Sequence, residues 1–258
     1  MTKLLPLLLL LLPLNVYAQS AEEKGFSIAQ KVDEMDTGWV DQTANMKMTL
    51  KNRQGDLSTR NIRLRTLEVP GDGDKSLSIF DEPADVKGTA FLSHTHAVKP
   101  DEQWLFLPAL KRVKRISSSN KSGPFMGSEF AYEDIASQEV EKFKYKFLRD
   151  DEIEGRKAFV IEQYPQYKKS GYKRTIAWVD AERYIPLRVE FFDRKDAPLK
   201  TLDFVDYQQY LGKFWRADKM SMLNHQTGKS STLEWTGYQF QTGLTDKDFH
   251  RSVLNRIK

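Results

Sequence analysis

The chain of 258 residues has no cysteine. That absence excludes disulfide bonds, thiol catalysis, and zinc or iron–sulfur sites built from thiolates. It also excludes a lipid anchor attached to an N-terminal cysteine. Any binding site of this protein must therefore be built from other side chains.

Recognisable catalytic motifs are also missing. The sequence has no GxSxG, no phosphate-binding Walker loop and no GxGxxG after a strand. It has four histidines, and only His94 and His96 are close enough in sequence to share a ligand. The paired carboxylates Glu133 and Asp134, like those at 150–152, are typical of solvated turns. We expect no enzyme activity, no cofactor and no metal site.

Neither sign of charge predominates, because 40 basic and 36 acidic residues give a net charge of +4. This balance gives no support to a nucleic-acid partner. Long apolar runs are absent except at Leu4–Leu14, which follows Lys3 and precedes the small-residue site Val16–Ala18. This pattern predicts a cleaved signal peptide at residues 1–18 and a single domain at 19–258. An exported chain without disulfides or lipidation is predicted to be a soluble periplasmic protein.

The remaining sequence is dominated by short segments with a period of two. Ala21–Asp36 is predicted to form a helix, and Met46–Leu50 and Arg60–Leu67 are predicted to form a β-hairpin. Roughly ten to twelve strands separated by short turns favour one antiparallel meander. Thr245–Asp248 resembles a capping box that opens a last helix. The expected class is mainly β with flanking helices (α+β).

Large apolar side chains are more numerous than a sheet with few helices can cover. Most would belong to the core, but an incompletely covered sheet face also makes a ligand cavity. Methionine suits a cavity for flexible acyl chains because it repacks at low cost. The candidate cavity residues are Met46, Met48, Leu50, Ile62, Leu64, Phe91, Trp104, Phe106 and Trp178.

Residues 101–134 combine an apolar strand, a basic strand, a polar loop and an aromatic loop. The basic strand is interpreted either as a solvated edge that blocks aggregation or as a docking surface for an acidic partner or lipid headgroups. Its candidate docking residues are Arg112, Lys114 and Arg115. Large apolar side chains on a loop usually cover something, so a loop or lid is predicted from Phe125, Met126, Gly127, Phe130 and Tyr132.

The same block resembles the signature of the LolA-like outer membrane lipoprotein-sorting protein family, which includes LolA-, LolB- and RseB-like proteins. The matching positions are Asp101, Trp104, Phe106, Pro108, Ala109, Leu110, Arg112, Arg115, Ile116, Phe125, Met126, Gly127, Ser128, Glu129, Phe130, Glu133 and Asp134. The resemblance implies one antiparallel sheet curled into an unclosed half-barrel, with helices covering its concave side. It also implies a branch often associated with RND-type exporters.

Three functions stay open at this point. The first is a periplasmic carrier or chaperone that shields the acyl chains of a lipid or lipoprotein, contacts membranes transiently, and serves trafficking to the outer membrane with an inner-membrane RND-type transporter. The second is a lipid-sensing or adaptor protein that docks to a membrane partner. The third, an enzyme that modifies an envelope lipid, has only His94 and His96 in its favour.

Overall fold

The computed structural model describes residues 19–117 and 120–257 of the chain. The predicted signal peptide at 1–18 lies outside the described residues. Helix α1 runs from Ala21–Met35, and Ser20 caps it through a reciprocal pair of bonds with Glu23. A Cβ atom built on Gly25 would lie 2.7 Å from the backbone nitrogen of Phe147. Glycine is therefore required where the helix packs against the sheet.

Within the described residues, thirteen strands form one sheet in which every neighbouring pair is antiparallel. They are β1 (Asp41–Lys51), β2 (Leu57–Leu67), β3 (Lys75–Glu82), β4 (Ala90–His94), β5 (Glu102–Leu107), β6 (Arg112–Ile116), β7 (Phe143–Ile153), β8 (Arg156–Pro165), β9 (Tyr172–Asp180), β10 (Pro186–Asp193), β11 (Pro198–Tyr210), β12 (Phe214–Asn224) and β13 (Ser230–Phe240). The spatial order is β6-β5-β4-β3-β2-β1-β13-β12-β11-β10-β9-β8-β7, so β6 and β7 are the two free edges.

The sheet curls without closing, and its concave face carries the main core. One buried cluster contains Ile116 from the β6 edge together with Tyr172 from β9, near the other edge. Met48 and Leu233, from the middle of the sheet, belong to the same cluster. Residues so far apart in strand order share one core because the sheet wraps around it. The predicted unclosed half-barrel is confirmed, with thirteen strands instead of ten to twelve.

The outer face of β3–β5 is covered by the end of the chain. Two short 3₁₀ helices, Asp246–Phe249 and Arg251–Arg256, replace the predicted last α-helix. Asp248 accepts hydrogen bonds from the backbone and hydroxyl of Thr245, as the capping-box pattern predicts. Phe249 and Leu254 are fully buried against Leu77, Leu92 and Trp104. The outer face is therefore sealed at this end by apolar contact.

The Phe249→Ala substitution tests this seal. It should lower the free energy of unfolding by about 3–5 kcal/mol, the usual cost of emptying a buried phenylalanine site. Leu211→Ala is the control, since Leu211 is 57% exposed and its loss should cost no more than about 0.5 kcal/mol. Urea denaturation measures both, and equal effects would show that the terminal segment is not part of the core.

Candidate functional site

The strand register decides which predicted cavity residues share a face. Met46 lies opposite Ile62, which lies opposite Phe80, and paired residues point to the same side of a sheet. The structure brings six of the nine predicted residues together on the concave face: Met46, Met48, Leu50, Ile62, Leu64 and Phe91.

The other three predicted cavity residues lie on the outer face. Trp104 lies opposite Leu92 and packs under the terminal segment with Phe106. Trp178 packs against Leu187 and donates its indole N–H to Asp151 at 3.1 Å. Strand β5 is apolar on both faces, so its alternation could not decide which side chains point inward. Its concave residues are Gln103, Leu105 and Leu107.

The concave face is occupied by the chain itself. Residues 120–139, here called the plug segment, cross it between β6 and β7 without α-helix. Phe125 and Phe130 are 0% and 2% exposed. The Phe125 ring lies 6.0 Å from that of Phe80 and 5.2 Å from that of Phe91. The predicted lid residues therefore fill the concavity.

A tight turn shapes the tip of the plug segment. Met126 and Gly127 both have positive φ, 50° and 80°, and the left-handed region is easiest for glycine. The turn lets the Phe125 N–H donate to the Phe130 carbonyl at 2.6 Å. Met126 and Tyr132 then pack against the same core as the two phenylalanines. The five predicted lid residues are thus one structural unit, and their role as a lid stays a prediction.

A buried ion pair anchors the plug segment to the concave face. Lys200 Nζ lies 2.6 Å from Asp134 Oδ2, and both side chains are 4% exposed. The ammonium also donates to the Glu129 carbonyl at 3.0 Å. The Tyr172 hydroxyl donates to Asp134 at 2.8 Å. Burial, followed by the Asp134 charge, raises the pKa of Tyr172 well above its usual value, so this hydroxyl stays a donor.

Glu133 makes a second anchor beside the first. Its carboxylate accepts hydrogen bonds from Tyr167 at 2.9 Å, Ser170 at 2.8 Å and the Gly171 N–H at 2.8 Å. Burial raises the pKa of Glu133, while these donors oppose the rise. The Glu133–Asp134 pair, which the sequence suggested was a solvated turn, therefore fixes the plug segment to β9 and β11.

Asp101 links the two edges of the half-barrel. It precedes β5 and pairs with Lys121 at 2.7 Å, at the start of the plug segment. It also pairs with Lys142, which directly precedes edge strand β7. All three side chains are less than 15% exposed. A single carboxylate therefore ties the plug segment to the start of β5, next to one edge, and to the start of edge strand β7.

These anchors were largely missed from the sequence. Lys200 is 66 residues from Asp134, so no local spacing connects them. One signal was present, because Lys200 has the same strand parity as Leu202, whose side chain is buried. A lysine on the apolar face of a predicted strand indicates a buried partner.

The predicted docking residues lie on edge strand β6. Arg112 and Lys114 are exposed and lie opposite Leu107 and Leu105. Arg115 lies opposite Trp104, points to the other face, and pairs with Glu102 at 3.0 Å. The structure therefore does not place the three cations on one face. Their docking role stays a prediction.

The two histidines are already bonded to separate groups. His94 Nε2 lies 2.8 Å from the Phe249 carbonyl, and His96 Nδ1 lies 2.7 Å from Asp72. Burial lowers the pKa of His94, which favours its neutral form. Within residues 19–117 and 120–257, no group of three or more potential ligands is placed to hold a metal ion.

Two surface hollows border the turn between β7 and β8, with volumes of about 240 Å³ and 490 Å³. Arg156 lines both of them. Neither contains a residue of the predicted cavity or lid.

In the described part of the chain, no helix is long and apolar enough to cross a membrane.

The Lys200→Met substitution tests the ion pair between Lys200 and Asp134. It leaves the Asp134 charge buried without its cation, which should cost about 3–5 kcal/mol in the free energy of unfolding. Lys173→Met is the matched control, because Lys173 is 54% exposed in its pair with Asp196, and such pairs contribute at most about 1 kcal/mol. Chemical denaturation that gives equal losses would contradict the anchor.

Asp74, which lies beside Ser137 and Glu139 of the plug segment, should make the free energy of unfolding depend on pH. Burial and then the Glu139 carboxylate raise the pKa of Asp74 to about 7, while the Ser137 hydroxyl opposes this. The folded protein therefore holds a proton that the unfolded chain loses near pH 4, so stability falls as pH rises from about 4 to 7. In Asp74→Asn, the free energy of unfolding should fall less steeply over this range, by up to about 1.4 kcal/mol per pH unit. Identical unfolding profiles for Asp74→Asn and wild type across this range would contradict it.

Comparisons with known proteins found a matching family model and several similar solved structures. A family model described as "-like: Uncharacterized protein" matches residues 72–256. No curated protein matches the chain. An outer membrane lipoprotein-sorting protein domain from Vibrio parahaemolyticus is 58% identical, with a TM-score of 0.89 over 91% of this chain and 100% of that one.

Two further crystal structures share the fold. A DUF1329 family protein from Desulfovibrio piger is 29% identical, with a TM-score of 0.86 over 91% of this chain and 99% of that one. A LolA superfamily protein from Nitrosomonas europaea is 21% identical, with a TM-score of 0.71 over 92% of this chain and 100% of that one. With its half-barrel and signature block, the chain belongs to the LolA-like outer membrane lipoprotein-sorting protein family.

Proposed function

We propose that this protein is a periplasmic carrier that shields the acyl chains of a lipid or lipoprotein on its concave face. The observation that supports this most is the way the face is covered. An apolar surface that spans most of the sheet is covered by the plug segment, which is no strand of the sheet. A segment held by side-chain anchors can leave without breaking the strand ladder.

Energetics favour exchange between the plug segment and an acyl chain. Burying a phenylalanine side chain contributes about 1.5–3 kcal/mol, and a buried methylene group about 0.8 kcal/mol. Phe125 and Phe130 would therefore be balanced by roughly four to eight methylene groups of a cargo chain. A chain long enough to offset the loss of the Asp134 and Glu133 anchors as well would leave a net gain after the plug segment is displaced. Cargo binding would then be favourable and still reversible.

The chemical nature of the concave face suits this cargo. Two strands separated only by β13 contribute methionines: β1 provides Met46 and Met48, and β12 provides Met222. Flexible, polarizable side chains adapt to irregular acyl chains. The proposed action requires burial alone, with no bond made or broken, in keeping with a family of binding proteins.

Transfer of cargo requires a partner, and edge strand β6 is our proposed docking site. Arg112 and Lys114 are exposed there beside Leu110, which is 67% exposed. A free edge with unpaired cations fits an acidic segment of a membrane protein. By family resemblance, we propose an inner-membrane RND-type transporter, with transient membrane contact and delivery towards the outer membrane. A sensor or adaptor that docks through the same edge is the second candidate.

A reversible lock tests the carrier function. The Cβ atom built on Gly171 lies 3.0 Å from both Ser122 Cβ and Glu133 Oε1. A small shift away from both groups allows a disulfide, whose Cβ atoms lie about 3.5–4.5 Å apart. We expect wild type to bind a fluorescent fatty-acid probe. The oxidised Ser122→Cys/Gly171→Cys variant should bind it at least about tenfold more weakly, a loss of about 1.4 kcal/mol.

Because the chain has no cysteine of its own, no native thiol can react with the introduced pair. Reduction should restore binding in the double variant, and the Ser122→Cys single variant should bind in both redox states. Equal binding by the oxidised and reduced double variant would show that the plug segment is not displaced. No probe binding by wild type would refute the carrier function itself.

A further inference from the structure

Arg60 is a cation on the apolar concave face. It lies opposite Met48, which is 0% exposed and belongs to the main core. Ile62, two residues further along β2, is buried on the same face. By strand parity the Arg60 side chain therefore points to the concave side. A guanidinium in such a place requires an acceptor, because it stays charged at any physiological pH.

The described residues provide no acceptor for part of this group. Nε and Nη1 of Arg60 are buried and have no hydrogen-bond partner. A buried donor left without a partner destabilises the folded protein, because it has lost its hydrogen bond to water. The other buried cation on this face, Lys200, is satisfied by Asp134 and the Glu129 carbonyl. Arg63, on the opposite face of β2, is also satisfied, by two bonds to Asp81 at 2.7 Å and 2.8 Å.

Arg60 also lies at the boundary between the apolar core and water. Along the concave side of β2, Ile62 is buried, Arg60 is half-buried and Ser58 is exposed. An amphiphile whose chains lie on the concave face would place its headgroup at such a boundary. Carboxylates and phosphates match the planar fork of a guanidinium and take two of its N–H groups at once.

We propose that Arg60 binds the anionic headgroup, a carboxylate or phosphate, of an amphiphile whose acyl chains lie on the concave face. The proposal rests on the carrier function and specifies its ligand class. It explains why two donors are left unpaired in the chain without ligand, since the ligand supplies their acceptor. Burial of the chains provides affinity, and Arg60 selects anionic over neutral headgroups.

Matched amphiphiles test the selection. Palmitate, hexadecyl phosphate and hexadecanol share one chain length and differ in headgroup, and each is titrated against a bound fluorescent neutral acyl probe. Wild type should bind at least one of the two anions about tenfold more tightly than the alcohol, a difference of about 1.4 kcal/mol. The preferred anion identifies a carboxylate or a phosphate ligand.

Two variants separate the headgroup contact from general charge. Arg60→Gln should lose the preference for anions and keep its affinity for hexadecanol. Arg53→Gln removes the same charge from the exposed turn of this hairpin and should keep the preference. If Arg60→Gln still prefers the anions, or if wild type shows no preference, the inference is overturned while the carrier function stands. If none of the three amphiphiles binds, both fail.

A stability measurement excludes a structural role for the guanidinium. Without amphiphile, Arg60→Met removes the unpaired donors and keeps most of the apolar stem, so its Tm should equal or exceed that of wild type. A Tm several degrees lower would mean that the guanidinium stabilises the fold itself and would overturn the proposal.

Discussion

The buried pair between Lys200 and Asp134 holds the covered state of the half-barrel together. Moving two charges out of water costs several kcal/mol each, and a pair repays this only when its remaining donors and acceptors are also bonded. Here the Glu129 carbonyl and the Tyr172 hydroxyl complete the set. The plug segment can therefore occupy the concave face in one position, the position in which all these bonds form.

The segments that cover the two faces of the sheet are held by different kinds of interaction. Phe249 and Leu254 seal the outer face with apolar contacts, which weaken gradually as side chains separate. On the concave face, Asp134 and Glu133 hold the plug segment through directional bonds, which lose most of their energy within a small displacement. Water or a ligand headgroup can replace such bonds once the segment leaves. In the proposed carrier, a polar anchor over an apolar face would therefore favour exchange between a covered and an open state.

In the proposed carrier, Arg60 gives the exposed concave face a preference for anionic headgroups. The satisfied Lys200 stabilises the segment that belongs to the chain, whereas the unpaired donors of Arg60 are left for something that the chain lacks. Under this proposal, the face combines an apolar surface for acyl chains with one charged contact that discriminates among headgroups. Affinity and selectivity are assigned to different residues, as they are in most small-molecule sites.

The sequence by itself determined much of the architecture. Alternating residues predicted the hairpin of β1 and β2, and the block at 101–134 identified the family and the aromatic segment that covers the sheet. These features depend on neighbours in the chain, whose periodicity follows directly from backbone geometry. The face of Trp104 was not predictable in this way, because β5 is apolar on both sides.

Only the tertiary structure decided how the concave face is closed and where it is charged. The Glu133–Asp134 pair resembled a solvated turn until Lys200, Ser170 and Tyr172 were brought to it from distant strands. The unpaired donors of Arg60 became visible only once the surroundings of its side chain were known. Such contacts join residues far apart in the chain, and curling of the sheet brings them together. Local patterns carry no record of them, because burial and pairing are properties of the folded neighbourhood.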